Sequence, residues 1–264
     1  MHGMVNIAIR AARRAGELMI RQLNQLETLQ VTEKSRNEFV TQVDRAAEAA
    51  IIEVIRDHYP DHSILAEESG ASGDSEYQWI IDPLDGTTNY VHGFPVFSVS
   101  IAVAQRGELQ HGVVYDPMRQ EIFSASRGQG AQLDGRRIRV SKRQSLQQGL
   151  IGTGFPYRLN LQHIDRYLEM LKAVMLESVG VRRPGSAALD LCYVAAGRID
   201  GFWELGLSKW DIAAGALIIR EAGGRISDFR GSDAYIDSGN VVAGNPKVYA
   251  ALSKLLAPFT TGLE

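Results

Sequence analysis

The sequence has one cysteine, no long apolar run and no excess of positive charge, and each of these absences argues against a class of protein. Cys192 cannot form a disulfide within the chain, which fits a reducing, cytoplasmic compartment. No uncharged apolar stretch approaches the ~18 residues of a membrane-spanning helix. Residues 5–9 are too few for a signal-peptide core. With a net charge of −3, the chain has no general attraction to nucleic acid or anionic membranes.

The composition is that of a globular protein, with 45% hydrophobic and 22% charged residues in a chain of 264. Apolar steps of three and four predict helices, and short apolar runs predict strands. The predicted helices are 4–26, 42–58, 163–178, 186–196, 209–222 and 246–256, and the predicted strands are 63–66, 79–81, 96–103, 112–115, 121–125, 200–204, 225–228 and 241–243. These elements indicate a mixed α/β protein with layered sheets and helices, and two lobes that meet near residue 145.

The most informative stretch is residues 79–90, in which an apolar strand runs into an acidic turn. The strand ends at Asp82, and the turn that follows can bring Asp82 and Asp85 to the same point. Their carboxylates, with the Leu84 carbonyl, are hard oxygen ligands of the kind that Mg²⁺ prefers. Gly86 lets the backbone approach closely, and the amides of Gly86, Thr87 and Thr88 form a possible phosphate site at a helix N-terminus.

Three further acids have two interpretations each. Glu67 follows the predicted strand 63–66, where it is either an exposed loop acid or a residue that reaches a neighbouring strand end. Asp211 and Asp44 each stand three residues after a serine or threonine, a spacing typical of a helix cap. Taken alone, the spacing favours the cap for both aspartates.

Two long motifs, in the expected order and spacing, carry a resemblance to a known family. Residues 79–92 (WIIDPLDGTTNYVH) and 210–224 (WDIAAGALIIREAGG) match its two signatures. The chain resembles the inositol monophosphatase family, and most of all its bacterial branch, nearly from end to end. The resemblance implies a layered α-β-α-β-α sandwich in one domain and a homodimer. Within that domain, a lobe over 1–145 would carry most of the metal ligands, and a lobe over 146–264 would carry the substrate contacts and Asp211.

The resemblance also implies the chemistry of the site, which is hydrolysis of small phosphomonoesters with two or three Mg²⁺ ions and inhibition by Li⁺. The implied metal ligands are Glu67, Asp82, Asp85, Asp211 and the Leu84 carbonyl. Thr87, hydrogen-bonded to Asp44, would orient a metal-activated water with help from Glu67, and that water would attack phosphorus in line.

For the substrate, the resemblance implies contacts from Asp85, Gly86, Thr87, Gly185, Ser186, Ala187 and Glu204, with Lys34 and Glu68 lining the site. The plain alternatives are that Gly185 and Ser186 only cap the next helix and that Glu204 is a surface acid. myo-Inositol monophosphate is the first candidate substrate. Fructose 1,6-bisphosphate, a nucleotide 3′-phosphate and histidinol phosphate are the alternatives, because the metal site would serve them all.

A second, non-enzymatic role remains open. Members of the bacterial branch are associated with transcription antitermination, so RNA polymerase-associated factors or RNA are possible partners. Residues 136–143 alternate cations with apolar residues, which predicts several positive charges on one strand face. A solvated sheet edge protected by charge is the plainer interpretation of this basic segment, and no aromatic residues interleave to stack on bases.

Overall fold

Eight α-helices are present in the residues that the computed structural model describes, which are 3–23, 31–35, 38–156 and 161–262. Side chains are described for these ranges apart from 31–35, 38–40 and 161. The helices are α1 (Gly3–Leu23), α2 (Gln42–Arg56), α3 (Thr87–Val91), α4 (Ile164–Glu177), α5 (Ala187–Ala195), α6 (Lys209–Glu221), α7 (Tyr235–Ser238) and α8 (Pro246–Leu256). No helix among the described residues is long and apolar enough to cross a membrane.

The larger of two sheets has eight strands and is antiparallel except for one pair. In chain order the strands of this sheet are β3 (Ser63–Ala66), β4 (Gly70–Ser72), β5 (Tyr77–Asp85), β6 (Ser98–Gln105), β7 (Glu108–Asp116), β8 (Glu121–Ser126), β9 (Gly130–Leu133) and β10 (Arg136–Arg137). Their spatial order is β10-β9-β8-β7-β6-β5-β3-β4. The parallel pair is β3 with β5, so the carboxyl ends of these two strands lie together.

The smaller sheet has five strands and is built from the second half of the chain. Its strands are β11 (Leu150–Thr153), β12 (Gly180–Arg182), β13 (Gly201–Glu204), β14 (Arg225–Ser227) and β15 (Val241–Gly244), in the spatial order β12-β11-β13-β15-β14. A separate hairpin of β1 (Val31–Ser35) and β2 (Glu38–Thr41) leads into α2.

Three apolar cores separate five layers. The first lies between α1, α2 and one face of the large sheet, the second between the two sheets around α5 and α6, and the third between the small sheet, α4 and α8. In the central layer, both faces of α6 are apolar, which a helix buried on all sides requires. The layers run α-β-α-β-α, which confirms the predicted fold class.

Helix α6 packs unusually close to the large sheet. A Cβ on Gly112 of β7 would lie only 2.8 Å from the carbonyl oxygen of Ala214 in α6, so the approach depends on glycine at this position. The contact sets the height of α6 over the sheet and therefore the position of its first turn, where Asp211 lies.

The predicted long helices and buried strands are present, with small shifts at their ends. Helix α1 is described as far as Leu23, and residues 24–26 of the predicted helix lie outside the described ranges. The basic segment 136–143 differs from the prediction, because only its first two residues are paired as a strand. Ile138 and Val140 then pack on the central core, and the amide of Val140 bonds to the carbonyl of Ala222, which draws the chain away from the sheet edge.

Candidate active site

Strand β5 brings two aspartates to one side of the sheet through a bulge. Asp82 pairs with Ser100 of β6 and Asp85 pairs with Ser98, so three steps of β5 face two steps of β6. Without the extra residue, Asp82 and Asp85 would point to opposite faces, because side chains alternate along a strand. Pro83 lacks the N–H that a regular ladder needs and falls within the bulge.

The turn after β5 is closed by the side chains that it presents. The amide of Leu84 donates to Asp82 Oδ1 at 3.0 Å. Gly86 follows with φ of 97°, a conformation that favours glycine, and a Cβ there would lie 3.0 Å from the carbonyl of Val96. Helix α3 starts at Thr87, directly after this glycine. The predicted strand-turn-helix is therefore present.

Asp44 caps α2 and also contacts the turn. One carboxylate oxygen accepts from the backbone N–H and the hydroxyl of Thr41, at 2.8 and 2.6 Å. The other accepts from the Thr87 hydroxyl at 3.1 Å, and the same hydroxyl lies 3.1 Å from the carbonyl of Leu84. Burial raises the pKa of Asp44, while these hydrogen bonds act against the rise. The cap and the contact with Thr87 coexist.

A second acid on α2 holds the loop that carries Glu67. Glu48, one turn after Asp44, is buried and accepts from the amides of Glu68 and Ser69 at 2.8 and 2.9 Å. The amide of Glu67 donates to the carbonyl of Ile81 in β5. The loop is thus fixed by backbone bonds on both sides of Glu67, which faces the same cleft as Asp82.

Asp85 joins the large sheet to helix α5 of the central layer. Its Oδ2 accepts from the Ser186 hydroxyl at 2.5 Å and from the amide of Ala188 at 2.8 Å, both at the start of α5. Ser186 is fully buried, also accepts from the amide of Leu189 as the cap of α5, and lies 3.2 Å from the hydroxyl of Ser98. The side chain of Ser186 therefore orients Asp85.

Asp211 approaches the same point from α6. It stands in the first turn of the helix, and one of its oxygens accepts from the amide of Ser208 at 2.8 Å. Asp211 therefore does cap α6, as its spacing from Ser208 predicts. Its carboxylate is nevertheless buried and lies beside Asp82.

Three of the four predicted metal-ligand carboxylates meet closely. Asp82, Asp85 and Asp211 each offer an oxygen, and these oxygens lie within 4.8 Å of one another. Burial raises the pKa of Asp82 well above its usual range, and the negative charges of Glu67, Asp85 and Asp211 raise it further. A cluster of hard oxygen ligands whose charges repel one another is suited to a divalent cation such as Mg²⁺.

These carboxylates lie in an open cleft with a volume of about 120 Å³. The predicted residues that line it are Glu67, Asp82, Leu84, Asp85, Gly86, Thr87, Gly185, Ala187, Glu204 and Asp211. Of the other predicted residues, Glu68 lies near enough to raise the pKa of Asp44 further. The side chain of Lys34, in β1, falls outside the described part of the chain.

Comparison with known proteins identifies the family. Residues 1–259 match the profile of the inositol monophosphatase family. A relative from Pseudomonas aeruginosa, named Nus factor SuhB, is 54% identical over 98% of this chain and 97% of its own length. This chain belongs to the inositol monophosphatase family.

Solved structures of the family agree with this fold. A protein of Bartonella henselae, described as extragenic suppressor protein suhB, shares 44% identity with a TM-score of 0.94 over 97% of this chain and 98% of its own. A Staphylococcus aureus inositol monophosphatase, solved with inositol monophosphate bound, shares 28% identity with a TM-score of 0.82 over 98% and 96%. The same enzyme was also solved with 2′-AMP bound.

Three charged residues that bear on the cleft were not predicted from the sequence. Glu48 could have been found, because it lies four residues after Asp44 on the same helical face. Asp190 could have been noticed as an acid within the apolar helix 187–195. Arg183 also lines the cleft, with its guanidinium 5.1 Å from the ring centroid of Phe155, and nothing in the local sequence marks it.

The electrostatics of Asp82 predict a trade-off between stability and metal binding. Because folding raises the pKa of Asp82, the metal-free protein loses stability as the pH rises through that raised pKa. We expect Asp82→Asn to increase Tm of the metal-free protein at neutral pH, by about 2–4 °C for each kcal/mol of repulsion removed. The amide keeps the acceptor for Leu84, and we expect the increase in Tm caused by Mg²⁺ to be lost.

Differential scanning calorimetry with and without EDTA measures both effects. Asp74→Asn, an exposed acid outside the cleft, is the control and should leave Tm and its response to Mg²⁺ unchanged. A metal-free Asp82→Asn protein that melts earlier than the wild type would show that the repulsion is not significant.

Proposed function

We propose that this protein is a Mg²⁺-dependent phosphatase that hydrolyses small phosphomonoesters, with myo-inositol monophosphate as the first candidate substrate. The observation that carries the proposal is the cluster of Asp82, Asp85 and Asp211, which lies in an open cleft beside Thr87. Membership of the family supports the phosphatase activity, and the inositol monophosphate bound to the Staphylococcus aureus relative supports the substrate.

The donor set of the cleft fits Mg²⁺. We assign Asp82, Asp85, Asp211 and the Leu84 carbonyl as its main ligands, with Glu67 helping to hold a further ion, for two or three in all. Carboxylate and carbonyl oxygens are the ligands that Mg²⁺ takes, and the buried negative charge favours any divalent cation. When bound, Mg²⁺ would lower the pKa of water and stabilise negative charge on the transferred phosphoryl group.

Thr87, Asp44 and Glu67 are the proposed catalytic residues. The Thr87 hydroxyl is close enough to donate to Asp44 Oδ1, which leaves its oxygen lone pairs to accept a hydrogen bond from the attacking water. Glu67, fixed by its loop, would hold the other side of that water. The water would then be aligned for attack opposite the leaving oxygen.

The substrate would lie along the cleft between the two sheets. We assign the backbone amides of Gly86 and Thr87 to the phosphate and Gly185, Ala187 and Glu204 to the polyol. The hydrogen bond from Ser186 to Asp85 holds the end of β5 against the start of α5 at this point. The 2′-AMP bound to the Staphylococcus aureus relative supports a wider range of substrates, so fructose 1,6-bisphosphate, nucleotide 3′-phosphates and histidinol phosphate remain alternatives.

A phosphate-release assay over a panel of phosphomonoesters tests the proposal. We expect activity to require Mg²⁺, to be inhibited by Li⁺, and to fall by at least ~10³ in kcat for Asp85→Asn, because the substitution removes transition-state charge stabilisation worth several kcal/mol. Asp74→Asn is the control. Full activity of EDTA-treated, metal-free protein would refute the mechanism.

Asp44 contacts Thr41 with one oxygen and Thr87 with the other. Two matched threonine variants can therefore separate its role in the helix cap from its role in catalysis. Thr41→Val removes the hydroxyl that caps α2 but leaves Asp44 next to Thr87, so we expect a loss of ~1 kcal/mol in stability and little change in kcat. Thr87→Val should instead lower kcat by about 10²-fold or more with little change in Tm. Steady-state kinetics and thermal melts on both variants measure the contrast, and a Thr87→Val variant that keeps the wild-type kcat would assign Asp44 a structural role only.

We also propose that the chain is one domain of two lobes dividing near residue 145, and that it forms a homodimer. An exposed apolar stripe on α4 supports the dimer. Ile164, Leu168 and Met175 lie on one helical face and are 40%, 51% and 61% exposed, and Leu176 and Val179 extend the patch. A second copy of the chain would cover this surface.

A second function, as a transcription antitermination factor, is favoured by the Nus factor name of the 54% identical relative. RNA polymerase-associated factors or RNA would be the partners, and this role would place the protein in the cytoplasm. The exposed cations of the basic segment are a candidate contact surface. They are Arg136, Arg137, Arg139, Lys142 and Arg143.

The two functions should be separable, because the basic segment is not part of the cleft. Asp85→Asn should abolish hydrolysis but retain transcription-machinery partners in a pull-down. Arg136→Glu with Arg139→Glu should leave kcat on small phosphates nearly unchanged while weakening salt-sensitive contacts. If neither the wild type nor the inactive variant retains a partner, only the enzymatic function stands.

A further inference from the structure

Asp190 is a buried acid that the proposed mechanism does not use. It stands in α5 between Leu189 and Leu191, is 1% exposed, and lines the cleft. A carboxyl group in such surroundings destabilises the fold unless it has hydrogen-bond partners.

Among the described residues, Asp190 Oδ1 has no hydrogen-bond partner. Other buried acids of the chain differ in this respect. Asp44 accepts from Thr41, Asp85 accepts from Ser186 and Ala188, and Asp200 accepts from Ser141 and the amide of Leu150. Buried polar atoms are rarely left unpaired, so an unpaired carboxyl oxygen in a residue that lines the cleft requires an explanation.

The backbone next to Asp190 has two glycines, and side chains from neighbouring elements pack directly over them. Gly152 and Gly154 lie on one face at the end of β11, because alternate residues of a strand share a face. A Cβ on Gly152 would lie 2.8 Å from Ile199 Cδ1 and 3.8 Å from Asp190 Cγ, and a Cβ on Gly154 would overlap the carboxyl group of Glu204. Asp190 and Glu204 thus lie near alternate residues on one face of this segment, close enough for the charge of Glu204 to act on Asp190, and both line the cleft.

This arrangement selects a neutral, hydroxylated ligand. Burial raises the pKa of Asp190 well above its usual range, and the charges of Glu204 and Asp85 raise it further, whereas Arg183 acts against the rise. A protonated carboxyl group both donates and accepts a hydrogen bond, and so does a hydroxyl group.

We infer that Asp190 is a specificity-determining residue, whose buried carboxyl group hydrogen-bonds a hydroxyl of a polyol phosphate beside the hydroxyl that Glu204 binds. The inference rests on the proposed phosphatase function and names the substrate class of that site as polyols. It adds Asp190 to the polyol contacts already proposed for Glu204.

Two variants test the inference. Asp190→Leu keeps the approximate size but removes both polar atoms, and Asp190→Asn keeps a donor and an acceptor. We expect Asp190→Leu to raise KM for myo-inositol monophosphate about 5- to 100-fold, the effect of losing a hydrogen bond to a buried group, and to lower kcat/KM much less for an aryl phosphate. Asp190→Asn should recover most of the selectivity. Asp74→Leu, at an exposed loop position, is the matched control.

Stability distinguishes this role from a structural one. Because the unpaired oxygen is removed, Asp190→Leu should keep or increase Tm, whereas loss of a structural contact would decrease it. Equal losses of kcat/KM on both substrates would overturn the inference. So would an Asp190→Asn variant that is as impaired as Asp190→Leu, because that result would point to an ionised carboxylate and a cationic ligand. Hydrolysis of the aryl phosphate by the wild type shows separately whether the proposed phosphatase function holds.

Should Asp190→Leu not fold, infrared difference spectroscopy decides. Binding of myo-inositol to the wild type should shift a protonated-carboxyl C=O band that is missing from Asp190→Asn. A wild-type spectrum without that shift overturns the inference.

Discussion

The site depends on the close approach of three carboxylates that repel one another. Asp82, Asp85 and Asp211 bring oxygens within 4.8 Å in a place where burial strengthens their repulsion. Each is held by a donor that orients it without neutralising it, such as the amide of Leu84 for Asp82 and the amide of Ser208 for Asp211. A cation that enters the cleft therefore meets ligands already in position, and its binding does not have to order them.

Helix capping is the means by which two of the acids are oriented. A carboxylate has two oxygens and about four acceptor positions, so a cap uses only part of its capacity. Asp44 caps α2 with one oxygen and accepts from Thr87 with the other, and Asp211 caps α6 while lying beside Asp82. Asp44 and Asp211 are therefore both helix caps and residues of the site.

The layered α/β fold and the acidic turn could be predicted from the sequence, because apolar periodicity and the run from Asp82 to Asp85 are local signals. The bulge that sets Asp82 and Asp85 on one side could not be predicted, since it is defined by the register with β6. The unpaired state of Asp190 depends on contacts far along the chain. The basic segment was predicted as a strand because alternation alone does not show that Ile138 packs on the core.

The two sheets divide the proposed work of the site. The large sheet, with α2, supplies Asp82, Asp85 and the contact between Asp44 and Thr87, which are the parts that would act on a phosphoryl group. The small sheet and α5 supply Glu204 and Asp190, which would contact the rest of the substrate. The bond from Ser186 to Asp85 links β5 to α5. A substitution at Glu204 or Asp190 would remove a proposed substrate contact but no member of the carboxylate cluster. Under the proposed function, this separation would allow substrate specificity to change while transition-state stabilisation does not.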